Sequence, residues 1–245
     1  LAQSVARSVK GDGGNAAMKA EQILHNMEEF SVRPSTITYN ALINVWSKTQ
    51  RADSGEKAAY WLKQMDDRDD IQPDAATYTS VIDAYARCGS AKEAERVLEK
   101  MIAHGKSGDV TCRPNTVSFA TAINAYANKG QPEEAERLLN LMNKLRNEEG
   151  WEELQPDSYC FNGIINAYVT SQDKNSINRC LDLLKEMEQN NVANRVSHTA
   201  VIEGLAKAQR HQGDKRYVGK TATNLLERMW QLYDEGDEAM MPTTV

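Results

Sequence analysis

The sequence predicts an all-α fold, an α-solenoid of helix-turn-helix repeats stacked in a row. One apolar block recurs five times along the 245 residues, and a second block follows each copy. A proline follows five of the six copies of the second block, where a helix must have ended, at Pro34, Pro73, Pro114, Pro156 and Pro242. No run with the period of a β-strand competes with these helical patterns.

The first block predicts the first helix of each repeat. It places an isoleucine and, three residues later, an aromatic residue or leucine on one helical face. The copies span residues 38–46, 77–85, 118–126, 160–168 and 197–205. Because a stripe at helical spacing is normally core, we expect Ile82, Ile123 and Ile165 to be almost fully buried between helices.

The second block predicts the second helix of each repeat. A small residue and a methionine stand seven positions apart, two turns along one face. The pairs are Ala58 and Met65, Ala94 and Met101, Ala135 and Met142, Cys180 and Met187, and Ala222 and Met229. Ala20 and Met27 repeat the pattern, so the segment from Leu1 to Lys10 is expected to be the remainder of an earlier first helix.

These blocks divide the chain into repeats. A truncated repeat occupies 1–35, four repeats occupy 36–74, 75–115, 116–157 and 158–194, and a degenerate repeat with a long insertion between its helices occupies 195–243. The predicted helix pairs are 36–49 and 54–66, 75–88 and 90–103, 116–129 and 132–147, 158–170 and 175–190, and 195–209 and 217–234. Gly89 and Gly130 stand between blocks as helix stops, and Pro132 suits the start of a helix.

Long connections and two tryptophans give further expectations. The polar stretches 67–70 and 104–112 are interpreted as solvated insertion loops, because loops tolerate insertions. Trp61 and Trp230 fall on second helices, where we expect them to pack between helices.

Composition narrows the function classes. The formal net charge of −6 and pI of about 5.4 argue mildly against a nucleic-acid partner, which usually leaves a basic footprint. No 18 consecutive apolar residues occur, so no membrane span is predicted. The four cysteines are far apart and without metal-binding spacing, so we expect reduced, packed thiols. His198 occupies a core aromatic position. No catalytic motif is present, and the chain is expected to be neither an enzyme nor a cofactor-binding protein.

The repeat resembles the pentatricopeptide repeat, PPR. The resemblance is carried by Thr-Tyr-Asn-Ala-Leu-Ile-Asn at 38–44, Lys-Glu-Ala-Glu-Arg-Val-Leu-Glu-Lys-Met at 92–101, and Pro-Asp at 73–74, and it covers nearly the whole chain. The family unit has 35 residues, whereas the repeats here are longer. The resemblance implies a right-handed superhelix with first helices on the concave side. It also implies an organellar protein, in the mitochondrion or chloroplast, although no targeting segment is visible.

Family members mostly bind single-stranded RNA, reading one base per repeat with the fifth and the last residue. In this sequence the pairs are Asn40 with Asp74, Thr79 with Asn115, Ala120 with Asp157, Asn162 with Asn194, and Thr199 with Thr243. By the family's code the first, second and fourth pairs favour uracil, adenine, and cytosine then uracil. Alanine cannot hydrogen-bond a base, so the third repeat is expected to read poorly. The implied RNA sequence is 5′-U-A-N-C/U-3′.

The resemblance assigns two further sets of RNA contacts. The second residue of each repeat sandwiches the bases, which here gives Ile37, Ala76, Val117, Tyr159 and Val196. A basic residue eight positions after the fifth contacts phosphate in the family, which here gives Lys48, Arg87 and Lys207, whereas Asn128 and Thr170 depart from the pattern.

Two functions therefore remain open. One is a sequence-preferring RNA-binding module in organellar RNA processing, stability or translation. The other is a protein-protein scaffold, a helical-repeat subunit of a large organellar assembly, which the negative charge, Ala120 and the insertions favour. No membrane and no small-molecule substrate are expected as partners.

Overall fold

Helices follow one another along the computed structural model, which describes residues 13–49, 51–171, 176–211, 215–235 and 240. They are α1 (Gly13–Glu29), α2 (Thr36–Lys48), α3 (Ser54–Asp66), α4 (Ala75–Arg87), α5 (Ala91–Lys106), α6 (Thr116–Ala127), α7 (Pro132–Glu149), α8 (Ser158–Thr170), α9 (Ser176–Gln189), α10 (Arg195–His211) and α11 (Lys215–Asp234). These residues contain no β-strand, which confirms the all-α prediction. The segment from Leu1 to Lys10 lies outside the described residues.

The helices form two rows. The first helices of successive repeats (α2, α4, α6, α8 and α10) pack side by side, and each also packs against the second helices before and after it. Within the described part of the chain, consecutive second helices make no comparable contact with one another. The second helices therefore diverge on an outer row while the first helices form the inner row, and the predicted solenoid is confirmed.

The repeated apolar stripes form one continuous core. Ile82, Ile123 and Ile165 are fully buried, as predicted, and so are the methionines Met65, Met101, Met142 and Met187. The helix stops are confirmed as well. Gly89 and Gly130 adopt left-handed backbone angles, with φ of 70° and 67°, that residues other than glycine rarely adopt. Pro132 is the first residue of α7, where its missing N–H costs nothing.

Two sequence predictions were wrong. Helix α5 continues to Lys106, and the 104–112 stretch is not simply a solvated loop. The His104 ring lies 3.1 Å from the Tyr78 hydroxyl, and the buried Cys112 thiol donates to the Pro73 carbonyl at 3.0 Å. This stretch therefore packs against the inner helix of its own repeat and the preceding connection. Trp230 is 48% exposed and packs edge-on against Tyr233 of its own helix rather than between helices.

At three junctions between repeats, a partly buried glutamate accepts hydrogen bonds from side chains of the next repeat. We call these acid-bridged junctions. Glu136 of the third repeat accepts hydrogen bonds from the Tyr168 hydroxyl at 2.8 Å and from Arg179 Nε at 2.9 Å, both in the fourth repeat. Glu95 likewise accepts from Tyr126 and Arg137 of the next repeat. Glu21 accepts from the indole nitrogens of two tryptophans, Trp46 at 3.1 Å and Trp61 at 3.0 Å.

The other two junctions have no such acid bridge among the described residues. We call them glycine-closed junctions because a glycine allows a close approach there, as Gly163 also does beside Asn124 at the Glu136 junction. At the first, the Tyr85 ring occupies the space in which a side chain of Gly55 would lie, since a Cβ there would be 2.3 Å from Tyr85 Cδ1. At the second, a Cβ on Gly204 would be 2.6 Å from Val169 Cγ2. Such distances lie well inside van der Waals contact, so neither position accepts a side chain without movement of its neighbour.

Candidate nucleic-acid interface

The second residue of each repeat is exposed at the start of an inner helix. Ile37, Val117, Tyr159 and Val196 are 67%, 60%, 62% and 56% exposed, and Ala76 is exposed too. Isolated exposed apolar residues are ordinary, but their recurrence at one repeat position places them in a regular row. The structure therefore presents apolar side chains where the family places its base-sandwiching residues.

The last residue of each repeat caps the next inner helix. Asp74 accepts from Thr77 N at 2.8 Å, Asn115 from Ser118 N at 3.0 Å, Asp157 from Cys160 N at 3.0 Å, and Asn194 from Ser197 N at 3.1 Å. A capping oxygen satisfies a backbone donor that lacks an intrahelical partner. These four side chains are consequently fixed at the N-termini of the inner helices.

The structure brings the first predicted pair into direct contact. Asn40 Nδ2 lies 3.1 Å and 3.2 Å from the two carboxylate oxygens of Asp74. The Asn40 carbonyl oxygen accepts from the Thr77 hydroxyl. Both ends of this amide are therefore hydrogen-bonded, the nitrogen to the last residue of its own repeat and the oxygen to the next repeat.

The second and third pairs are not joined by hydrogen bonds among the described side chains. The Thr79 hydroxyl donates to the Ala75 carbonyl one turn earlier in its own helix, at 2.7 Å. Ala120 is 3% exposed and offers no polar group, while Asp157 is exposed. The second pair therefore offers the Thr79 hydroxyl, which bonds to its own helix, and the Asn115 amide, which caps the next helix. The third pair offers only the Asp157 carboxylate.

The fourth pair differs from the first although both fifth residues are asparagine. Asn162 Oδ1 is buried without a hydrogen-bond partner among the residues that the structure describes. Its predicted partner Asn194 directs its own oxygen to the backbone and hydroxyl of Ser197. In the fifth repeat Thr199 is half-buried, and Thr243 lies outside the described residues.

Two of the three predicted phosphate-contacting residues are ion-paired. Lys48 Nζ lies 2.7 Å from one oxygen of Asp83, and Arg87 Nε lies 2.9 Å from the other. Both cations are about half exposed, at 47% and 48%, so they remain accessible to a ligand while Asp83 reduces their net charge. Lys207 is exposed.

The remaining titratable residues give no sign of reaction chemistry in the described part of the chain. Burial raises the pKa of the thiols of Cys112, Cys160 and Cys180 to about 12, so these packed cysteines remain protonated at neutral pH. His198 is fully buried, as predicted, with its ring 3.0 Å from Glu188. No group of His, Cys, Asp and Glu suited to a metal, and no helix apolar and long enough to cross a membrane, occurs among the described residues.

The sequence did not reveal two residues of this surface. Thr77 was identified only as part of a core block, yet its hydroxyl contacts the Asn40 amide. Asp83 stands one turn before Arg87, and that spacing alone signals their ion pair. Its second contact, with Lys48, joins adjacent repeats and has no local sequence signal.

Comparisons with known proteins identify the same repeat. The model of the pentatricopeptide repeat domain matches residues 14–49 and 62–129, and that of the PPR repeat matches 117–146. A chloroplastic pentatricopeptide repeat-containing protein of Arabidopsis thaliana is 33% identical over 87 residues, which cover 36% of this chain and 16% of that protein.

Solved structures show the same fold. The maize pentatricopeptide repeat protein PPR10 has a TM-score of 0.62 at 19% identity, over 84% of this chain and 28% of that one. PPR10 in complex with an 18-nucleotide psaJ RNA element has a TM-score of 0.57 at 21% identity. The PPR domain of Arabidopsis thaliana protein-only RNase P 1, in complex with tRNA, has a TM-score of 0.58 at 17% identity, over 77% of this chain and 89% of that one.

Proposed function

Since the chain belongs to the pentatricopeptide repeat family, we propose that its inner row of helices binds single-stranded RNA with one base per repeat. The observation that carries this proposal is the row of exposed apolar side chains at the second repeat position. Stacking on such side chains contributes roughly 1–3 kcal/mol per base where the stacking residue is aromatic, and it tolerates any base. Tyr159 offers the largest stacking surface and Ala76 the smallest.

Polar groups beside this row supply the base preference. In the first repeat the Asn40 amide offers an N–H, and the Asp74 carboxylate offers an acceptor beside it. Uracil presents the complementary edge, a carbonyl oxygen next to an N–H. Together with the family's code at the second and fourth repeats, this supports 5′-U-A-N-C/U-3′ for the first four repeats.

A binding titration at fixed salt tests the proposal. We expect RNA that carries UANC to bind more tightly than the same RNA with purines and pyrimidines exchanged at those positions. Replacing Asn40 by threonine and Asp74 by asparagine should move the first preference from uracil to adenine. Equal binding of both RNAs would contradict base reading, and absence of binding to either would contradict the RNA function.

A protein scaffold in an organellar assembly is the second candidate. Asp83 favours it, because this carboxylate pairs with two of the three cations on which phosphate binding would depend and offsets one of their charges. Salt dependence separates the two functions, since each phosphate contact to a single strand contributes about −0.7 to the slope of log affinity against log salt. A protein that co-purifies stoichiometrically and occupies the inner row would favour the scaffold.

The organellar location and the absence of catalysis belong to the same proposal. The curated relative is described as chloroplastic, and the RNase P relative carries its PPR domain within an RNase. The chain spans 16% of the curated relative and 28% of PPR10. We therefore assign RNA binding, without cleavage, to these repeats within organellar RNA processing, stability or translation.

A further inference from the structure

Thr77 hydrogen-bonds across the junction between two repeats. The residues at the same position of the other repeats described below do not. It is the third residue of the second repeat and is fully buried. Its hydroxyl oxygen lies 2.5 Å from Asn40 Oδ1 in the first repeat and 2.9 Å from Asp74 Oδ1. A hydroxyl has one proton to donate, and Asn40 Oδ1 is the nearer acceptor. The base-contacting amide of one repeat is thus supported by the following repeat.

This contact determines which way the Asn40 amide faces. With Oδ1 toward Thr77, the NH₂ group faces the Asp74 carboxylate, and both ends are satisfied. In the opposite orientation the carbonyl oxygen would face the carboxylate, and two acceptors would repel each other. The amide is therefore held in a single orientation, with an N–H available to a base beside an Asp74 oxygen.

The equivalent residues at the other described junctions do not hold the preceding amide or hydroxyl. In the third repeat the Ser118 hydroxyl donates to the Asn115 carbonyl at 2.8 Å, and in the fourth repeat Cys160 offers no hydroxyl. In the fifth repeat the Ser197 hydroxyl donates to Asn194 Oδ1 at 3.1 Å and leaves Asn162 Oδ1 without a partner. No hydrogen bond to Oδ1 consequently fixes the orientation of the Asn162 amide.

We propose that Thr77 is a positioning residue for base specificity, which makes the first repeat stricter than the fourth. The fixed Asn40 N–H and Asp74 oxygen match the carbonyl and N–H of uracil. Cytosine carries an amino group and an unprotonated ring nitrogen at those places, so it opposes both groups. The Asn162 amide, whose orientation no such hydrogen bond fixes, would turn to present its oxygen or its nitrogen and so accept both pyrimidines. This inference rests on the RNA-binding function proposed above.

Binding of the full chain to matched RNAs tests it. The RNAs differ in one base, uracil or cytosine, at the first or at the fourth position of UANC. For the unmodified chain we expect a preference for uracil of roughly tenfold at the first position and a smaller difference at the fourth. Thr77→Val should reduce the first preference to about two- to threefold, because a net hydrogen bond is lost.

Two variants separate positioning from helix stability. Thr77→Ser keeps the hydroxyl and should keep the uracil preference. Ser197→Ala removes a hydroxyl that caps its helix as Thr77 does, since Asn194 N donates to Ser197 Oγ at 3.0 Å and Asp74 N to Thr77 Oγ1 at 3.1 Å. It should leave both base preferences unchanged. An equal loss of the first preference in Ser197→Ala would show that capping alone is responsible and would overturn the inference.

A measurement without RNA distinguishes failure of the inference from failure of the function. In the free protein, the NMR signals of the Asn40 side-chain amide should move in Thr77→Val and stay in place in Thr77→Ser. If these signals behave so but no RNA is bound, the contact stands and the RNA function fails together with its specificity. If the chain selects uracil and Thr77→Val selects it equally well, the function stands and the inference is overturned.

Discussion

The acid-bridged and glycine-closed junctions both hold adjacent repeats together. They differ in the contact that distinguishes them, a hydrogen-bonded carboxylate in one and a close steric approach in the other. At the acid-bridged junction of Glu136, a half-buried carboxylate joins a hydroxyl and a guanidinium across the repeats. At the glycine-closed junction of Gly55, ion pairs such as that of Lys48 with Asp83 also join the repeats, and the aromatic ring of Tyr85 approaches the helix backbone directly. The Glu136 contact depends on charge, and the Gly55 contact depends on space. The same solenoid should therefore respond differently to pH and to added side-chain volume at successive repeats.

The largest expected effect tests whether destabilisation of one repeat stays local or spreads across its junctions. Ile165→Ala in the fourth repeat, which has one junction of each kind, should lower the free energy of unfolding by about 2–5 kcal/mol. Hydrogen exchange should show protection lost first in the fourth repeat and less in repeats farther away, because each repeat contacts only its neighbours. The exposed Val117→Ala is the control, with a change within about 0.5 kcal/mol. Uniform loss of protection along the chain would contradict separate junctions.

The next effect tests the glycine-closed junction. Gly55→Ala should destabilise the protein by about 1–3 kcal/mol, since its Cβ would lie 2.3 Å from Tyr85 Cδ1 and the ring must move. Gly219→Ala in α11 is the control, because nothing lies within 4 Å of the added Cβ. That control should be neutral or stabilise the helix by up to about 1 kcal/mol. Denaturant unfolding measures both, and equal effects of the two substitutions would show that space at Gly55 is not limiting.

A smaller effect tests the acid-bridged junction. Glu136→Ala leaves Tyr168 and Arg179 without their acceptor and should cost about 1–2 kcal/mol, discounted because Arg179 is 41% exposed. The control is Glu134→Ala, whose carboxylate is 49% exposed and pairs only with Arg137 at 2.8 Å. It should change the free energy of unfolding by less than about 0.5 kcal/mol. If the two variants unfold at the same denaturant concentration, the bridge does not stabilise the junction.

The smallest effect distinguishes the junctions by pH. Burial alone raises the pKa of Glu136, but hydrogen bonds from Arg179 and Tyr168 outweigh it and hold that pKa below its ordinary value. A lowered folded-state pKa gives stability that is complete above the unfolded value of about 4.3 and is lost as the pH falls through the folded value. The difference in free energy of unfolding between the unmodified chain and Glu136→Gln should therefore shrink below about pH 4.3.

The pH dependence of the free energy of unfolding is also measured for Gly55→Ala, the variant introduced above. Its cost arises from a steric contact between uncharged groups, so it should be the same at neutral and at acidic pH. Melting curves recorded over that range for both variants make the comparison direct. A pH-dependent cost of Gly55→Ala would mean that this cost is not purely steric.

The sequence predicted the helices and the core because both follow a local period. Ile82 and its equivalents recur with the repeat, and a glutamate follows the small residue in the three repeats that carry an acid bridge, as at Ala94 and Glu95. The contact partners of that glutamate could not be predicted, because Tyr126 and Arg137 lie more than 30 positions away. Their approach depends on how adjacent repeats rotate against each other.

For the candidate site, the family register names the residues, but the sequence does not show how their side chains are held. The exposed row of Ile37, Val117, Tyr159 and Val196 follows from the family register and from the absence of a core period at those positions. Whether an asparagine is held, as Asn40 is, or is free, as Asn162 is, depends on one hydroxyl in the following repeat. Cys112 shows the same limit, since the sequence predicted a packed thiol but not its contact with the Pro73 carbonyl 39 residues earlier.

Because the last residue of each repeat caps a helix, the substitutions that this position tolerates are restricted. Asp74, Asn115, Asp157 and Asn194 each satisfy the backbone of an inner helix with the same side chain that we propose for base contact. Replacing such a cap by alanine costs about 0.5–2 kcal/mol of stability, whereas exchange among aspartate, asparagine and serine costs little. Few residue types can therefore occupy the last position without loss of the helix cap. Larger changes of base preference would have to be made at the fifth residue, which caps no helix.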